Sequence, residues 1–311
     1  VRLSSVQAVA DANVPDLAVD GTGNAIVVWH QGDGRVNHFD VWSAVYTAAG
    51  DTWAAPVMQN DANFSAANPH VALNDSGHGV VAWEQGQSDG TTVSNGPQDI
   101  WGRGATSAGT WGTRTRLNAV AGDIDGVYGQ TAVATDAAGN GFALWVQGSG
   151  TLPFVIHAAR FAASNGWQAS AVITSNALDN SYGPHVAFDA SGNAVAVWQQ
   201  QTGVGAFAGV ARYDAATGWA ASGAIGNDLP GDVYDPRIAV DGAGNATAVW
   251  YQWDTTAATI SVMFDRLPAG GSWGSSRLLS PTTANGFLFP VPRVAANAAG
   301  QTFAVWGINS N

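Results

Sequence analysis

Cysteine and lysine are absent from this chain, glutamate occurs once, and no apolar run reaches the length of a membrane span. Without Cys there is no disulfide, no thiolate metal site and no Cys nucleophile, and the redox compartment is left open. The 11 basic residues are all Arg, against 22 Asp and the single Glu84, for a formal net charge of −12. A phosphate backbone has to be neutralised by clustered cations, so charge argues against a nucleic-acid partner and disfavours anionic membrane surfaces equally. The first residues, Val1-Arg2-Leu3-Ser4-Ser5, lack the basic and apolar regions of a signal peptide. With a Gly, Asn, Thr, Trp and Ala richness that looks like bacterial surface proteins, the expectation is a secreted protein, extracellular or at the cell surface, whose signal peptide has been removed and which does not insert in a membrane.

What is present is a repeat. Pro15-Asp-Leu-Ala-Val-Asp-Gly-Thr-Gly-Asn-Ala-Ile-Val-Val-Trp29 aligns with runs ending at Trp83, Trp145, Trp198, Trp250 and Trp306, spaced by 54, 62, 53, 52 and 56 residues. A second Trp recurs between them, at 53, 111, 167, 219 and 273. Periods of this length mark an array of supersecondary units. Each unit reads as four strands: Pro-x-apolar-Ala-x-Asp, an Asp-x-x-Gly-Asn turn, an alternating strand ending in Trp-x-Gln, then two more strands around a Gly-bearing turn. Four-stranded sheets repeated radially make a β-propeller, so the expected fold is all-β, a six-bladed β-propeller over residues 1–311 as a single domain. Leu3–Val9 resembles a fourth strand and the chain stops after two strands of the sixth repeat, so the last blade is expected to be incomplete. Its open edge is a place where an oligomer could form.

Most of the Trp occupy repeat positions and read as core. Function is expected where equivalent positions differ. Directly after the Pro, or its counterpart, stand Asp16, His70, Thr131, His185, Arg237 and Arg293; after the strand-ending Trp stand His30, Glu84, Val146, Gln199, Tyr251 and Gly307. The connections between repeats add Tyr128, Tyr182 and Tyr234, whose aromatic faces suit the C–H face of a sugar ring. The two longest loops, in the first two repeats, both end in Asp-x-Trp and bring in His38, Asp40, Trp42, Asp99 and Trp101. The ligand-binding candidates are therefore His30, His38, His70, His185, Arg237, Arg293, Trp42, Trp101, Tyr128, Tyr182 and Tyr234. For calcium, the cofactor considered, Asp123 and Asp125 are the candidates, although Asp123-Ile-Asp125-Gly126 is too short for a complete calcium loop.

The repeat Pro-x-Ile-Ala-x-Asp-x-x-Gly-Asn-Ala-x-Ala-Val-Trp-x-Gln resembles that of bacterial secreted propellers in the broad sialidase-like and fucose-lectin-like group. The resemblance implies the fold. It does not extend to activity motifs: Asp20 to Trp29 is nine residues, longer than the Asp-box spacing, and one Glu cannot recur in several lectin clefts. The first expectation for function is a lectin-like, carbohydrate-binding or surface-recognition propeller with a glycan or cell-surface ligand, leaning away from an enzyme. The alternative is a glycan-cleaving hydrolase or lyase acting on an acidic sugar, with Glu84 and Asp40 or Asp99 as acid and base. A protein–protein interaction module is the third reading.

Overall fold

The computed structural model describes residues 3–4, 12–35, 38–86, 97–119, 124–125, 130–149, 152–174, 179–280, 283–284 and 290–307. The chain is a six-bladed β-propeller of antiparallel sheets, with no α-helix among the described residues. Blade 1 is built from Ala12–Val19, Ala25–Gly32, Phe39–Thr47 and Thr52–Trp53, hydrogen-bonded in that order. Blades 2 to 5 repeat the scheme, beginning at Ala66–Leu73, Thr131–Thr135, Asn180–Phe188 and Asp232–Val240. The sixth sheet has two strands among the described residues, Arg293–Ala296 and Thr302–Val305, in line with the incomplete blade. The strand-like run Leu3–Val9 falls largely outside the described residues. By its contacts the chain forms two compact units, Val1–Leu152 with His157–Ala171, and Pro153–Ile156 with Val172–Asn311.

The repeated residues explain the blade. The fully buried Trp83, Trp145, Trp198 and Trp250 project between sheets. Each has its indole N–H satisfied by the Gln two residues on, which alternation puts on the same face: Trp83 Nε1 donates to Gln85 Oε1 at 3.3 Å and Trp198 Nε1 to Gln200 Oε1 at 2.9 Å. Trp-x-Gln is thus a core aromatic carrying its own acceptor, which spares an indole N–H buried without a partner.

The Asp turn is equally mechanical. Asp20 Oδ1 accepts from the N–H groups of Thr22 and Asn24 while Oδ2 accepts from Asn24 Nδ2, with Gly23 at φ +87°. Asp136, Asp189 and Asp241 repeat the pattern. Asn24 Oδ1 then accepts from the Ala48 N–H at 3.0 Å, so the turn between the first two strands is fastened to the turn between the last two. The final strand is shorter than expected. In blade 1 it survives as Thr52–Trp53 and Val57–Met58, and Pro56, which has no N–H to give the ladder, lies in the break.

Candidate functional site

Four of the first strands share one irregularity. The register slips between Asn13 and Asp16, Ala67 and His70, Tyr182 and His185, and Tyr234 and Arg237. Each slip holds an x-Pro pair, and the residue before Pro has positive φ: Val14 49°, Asn68 50°, Gly183 57° and Asp235 45°. Pro cannot donate to a ladder, and a bulge absorbs it while re-aiming the side chains on either side. A non-Gly residue at positive φ is uncommon, and backbone strain of about 1–3 kcal/mol per residue gathers at functional sites.

In the first unit the bulge of blade 2 assembles a polar cluster. The backbone N–H of Asn68 donates to His30 Nδ1 at 3.2 Å, and its Nδ2 donates to Glu84 Oε2 at 2.9 Å. Because His30 accepts at Nδ1, its neutral form carries the ring proton on Nε2. His30 and Glu84 are both buried, and Phe39 packs its ring against the imidazole at 5.1 Å in an edge-on geometry. Burial pushes the His30 pKa below its ordinary value, so this histidine is neutral at pH 7.

Between the first strands of blades 1 and 2, Asp16 Oδ2 lies 3.3 Å from His70 Nδ1 and accepts from the Val71 N–H at 3.0 Å. Burial acts to raise the Asp16 pKa, but the hydrogen bonds from His70 and Val71 outweigh it and hold the carboxyl ionised. Asp16 stands among the sequence positions that differ between repeats, yet no composition signal marked it as an acid of interest; its partners come from the next blade. Thr131, the third of these positions in this unit, is buried at the start of blade 3.

The second unit holds the remaining candidates. Tyr234 stacks on Tyr251 with ring centroids 5.1 Å apart and planes within 10°, and Trp253 lies 6.5 Å from Tyr234. Tyr182 packs on Phe154 at 5.8 Å, and His185 Nδ1 accepts from the Ile238 N–H at 3.4 Å, tying blade 4 to blade 5. The Arg237 pKa is lowered, first by burial and then by the positive charge of Arg293, while Asp235 opposes both. Each arginine donates to the carbonyl of the Pro just before it, Pro236 and Pro292. A groove of about 800 Å³ opens beside these rings, lined by Phe207, Asn227, Asp232, Trp253 and Asp254 among others.

The fold has relatives of known structure. A protein of unknown function from Dyadobacter fermentans matches with a TM-score of 0.55 at 12% identity, covering 93% of this chain and 88% of that one. An α-L-arabinanase of Penicillium chrysogenum, solved with arabinobiose, matches with a TM-score of 0.53 at 10% identity, over 86% of this chain and 80% of that one. A leech intramolecular trans-sialidase matches with a TM-score of 0.52 at 7% identity, over 95% of this chain and 64% of that one. No protein-family model matches the chain, and no curated protein does. The sialidase-like propeller resemblance therefore holds at the level of the fold. The lectin-like expectation is corrected: the neighbours with a stated activity are an arabinanase and a trans-sialidase, glycan-active enzymes.

The acids expected to pair with Glu84 are differently placed. Gln85 pairs with Asp99 and Glu84 with Ile100, so Glu84 and Asp99 project from opposite faces of blade 2. Asp40, opposite Gln31, likewise leaves blade 1 on the face away from His30. Both acids repeat one clamp: Asn60 Nδ2 donates to Asp40 and Asn118 Nδ2 to Asp99, while each Asn oxygen accepts the next backbone N–H, at Val41 and Ile100. On this geometry Glu84 and Asp99 do not face one pocket of blade 2, which corrects that pairing, and the acid of each Asp-x-Trp is held by an Asn. Trp42 and Trp101 pair with the core Trp29 and Trp83 in their ladders, and Arg114 stacks over Trp101 at 5.6 Å. His38 is buried in the loop before Asp40. Tyr128 and Asp123 lie outside the described residues, as does the side chain of Asp125, whose backbone pairs with Pro97.

Proposed function

We propose that this chain is an extracellular glycan-cleaving hydrolase, with Glu84 as the group that donates and accepts the proton at the glycosidic oxygen. The observation that carries this reading is the Asn68 bridge: one strained residue orients the only Glu of the chain and fixes the tautomer of the neighbouring His30. Glycoside hydrolysis needs one carboxyl that exchanges a proton and a second that stays charged. Asp16, held ionised by His70 and the Val71 N–H, is the second. The fold shared with an arabinanase and a trans-sialidase supports the substrate class, an arabinose- or sialic-acid-containing glycan. In the second unit the Arg237–Arg293 pair suits a sugar carboxylate, and the Trp253 and Phe207 groove suits a sugar ring.

The test is a panel of aryl α-L-arabinofuranosides and aryl sialosides, with arabinan and sialylated oligosaccharides assayed for new reducing ends. Turnover that falls by about 10²–10⁴-fold in Glu84→Gln, with glycan binding retained, is the expected result. Absence of turnover across the panel, or full activity in Glu84→Gln, overturns the reading.

A further inference from the structure

The long loop of blade 1, which the glycan chemistry does not use, holds three donors in one place. Asp33, His38 and Asp40 each offer a ligand atom, and these atoms lie within 4.8 Å of one another. Acidic groups often meet without an ion, so the decisive observation is His38. Its side chain is 1% exposed, and neither ring nitrogen has a hydrogen-bond partner among the described residues. The nearest acid, Asp33 Oδ2, lies 3.3 Å from Nδ1 but out of hydrogen-bonding line. An imidazole buried with both nitrogens unsatisfied costs free energy unless something absent from the protein alone completes it. Asp40 is held ready: Asn60 donates to Oδ1, which leaves Oδ2 for a cation. Asp33, 23% exposed and bonded to Arg35, is the member nearest solvent and the one through which an ion would enter.

We infer that Asp33, His38 and Asp40 form a divalent-metal site for a zinc-type ion. The donor set decides the metal: one imidazole nitrogen with two carboxylates suits a borderline first-row cation, whereas calcium takes six to eight oxygens and has little use for a histidine. Three protein donors leave at least one coordination position for water or a sugar hydroxyl. Asn60, which donates to Asp40, also donates to the carbonyls of Asp61 and Phe64, so the carboxylate has outer support of the kind metal ligands require.

The experiment is titration of the metal-stripped chain with zinc chloride, read by calorimetry, and with cobalt(II), read by its visible absorption. The expected result is one equivalent of zinc per chain and a cobalt spectrum that zinc displaces. Affinity should fall at least about tenfold in Asp33→Asn, a solvent-side change that leaves the core intact, and in His38→Gln. Retained zinc affinity in Asp33→Asn, no stoichiometric zinc uptake, or a site that takes calcium and refuses zinc would each overturn the inference. None of these readouts depends on glycan turnover, so they stand apart from the test of Glu84.

Discussion

Asn68 donates from its side-chain amide to Glu84 Oε2 over 2.9 Å while its own backbone sits at φ +50°. One residue thus carries both a local strain and the orientation of the carboxyl. The two contributions separate by substitution. Asn68→Gly removes the amide but tolerates the backbone, and Asn68→Ala removes the amide and keeps the strain. Both should lower kcat, whereas in urea unfolding Asn68→Ala should be the less stable of the two by about 1 kcal/mol. Equal stabilities would mean that the bulge relaxes in the variants.

His30 makes stability sensitive to mild acid. Burial lowers its folded pKa below the ordinary 6.5, so between these values the unfolded chain takes up a proton that the folded one refuses. Its contribution is complete above 6.5 and is lost as pH falls toward the folded value. Unfolding midpoints should therefore drop as pH falls below 6.5 toward the folded value, and His30→Gln should flatten that part of the curve. An unchanged slope in the variant would assign it to other groups.

Asp20 acts in a lower window. Burial tends to raise its pKa, but hydrogen bonds from Ser107, Asn24 and Thr22 outweigh this and hold the carboxyl well below its ordinary 3.8. The stabilisation is present above 3.8 and disappears as pH falls through the folded value. Asp20→Asn should cost about 1–3 kcal/mol at pH 7 and make the acid limb below pH 4 shallower, as followed by circular dichroism.

Gly209 is a packing glycine. It pairs with Trp198 in blade 4, and a Cβ there would lie 2.8 Å from Trp198 Cζ2, against a fully buried ring. Gly209→Ala should cost at least about 2 kcal/mol, while Gly203→Ala, with open space around it, should stay within about 0.5 kcal/mol. Chemical denaturation of the pair checks both.

The blades were legible because Trp, Asp turn and Pro recur in register, each satisfying a local requirement identical in every repeat. The bulge was not. A residue before Pro avoids compact backbone conformations, so Asn68-Pro69 and Asp235-Pro236 read as plain extended strand. Its cost is sustained by contacts to the next blade, such as Asn68 to His30, that no window of sequence contains. The misplaced acids have the same origin. Asp40 and Asp99 looked like unusual loop residues because their Asn partners stand about 20 positions away. Asp33 escaped notice for the opposite reason, since a lone Asp beside Gly in a long loop resembles a turn residue.

The asparagine that ends each Asp turn has a consequence for how such a chain can grow. Asn24, Asn140, Asn193 and Asn245 each accept from an Ala N–H in the distal turn of their own blade, at 3.0 to 3.2 Å. The fastener and what it fastens are therefore inherited together, about 23 residues apart. Duplicating or deleting one whole repeat carries its closure along, whereas a break between turn and acceptor leaves two hairpins unlatched. The gene for such a blade can be copied as a cassette, and residues outside the latch, among them those after Pro and after Trp, are free to diverge.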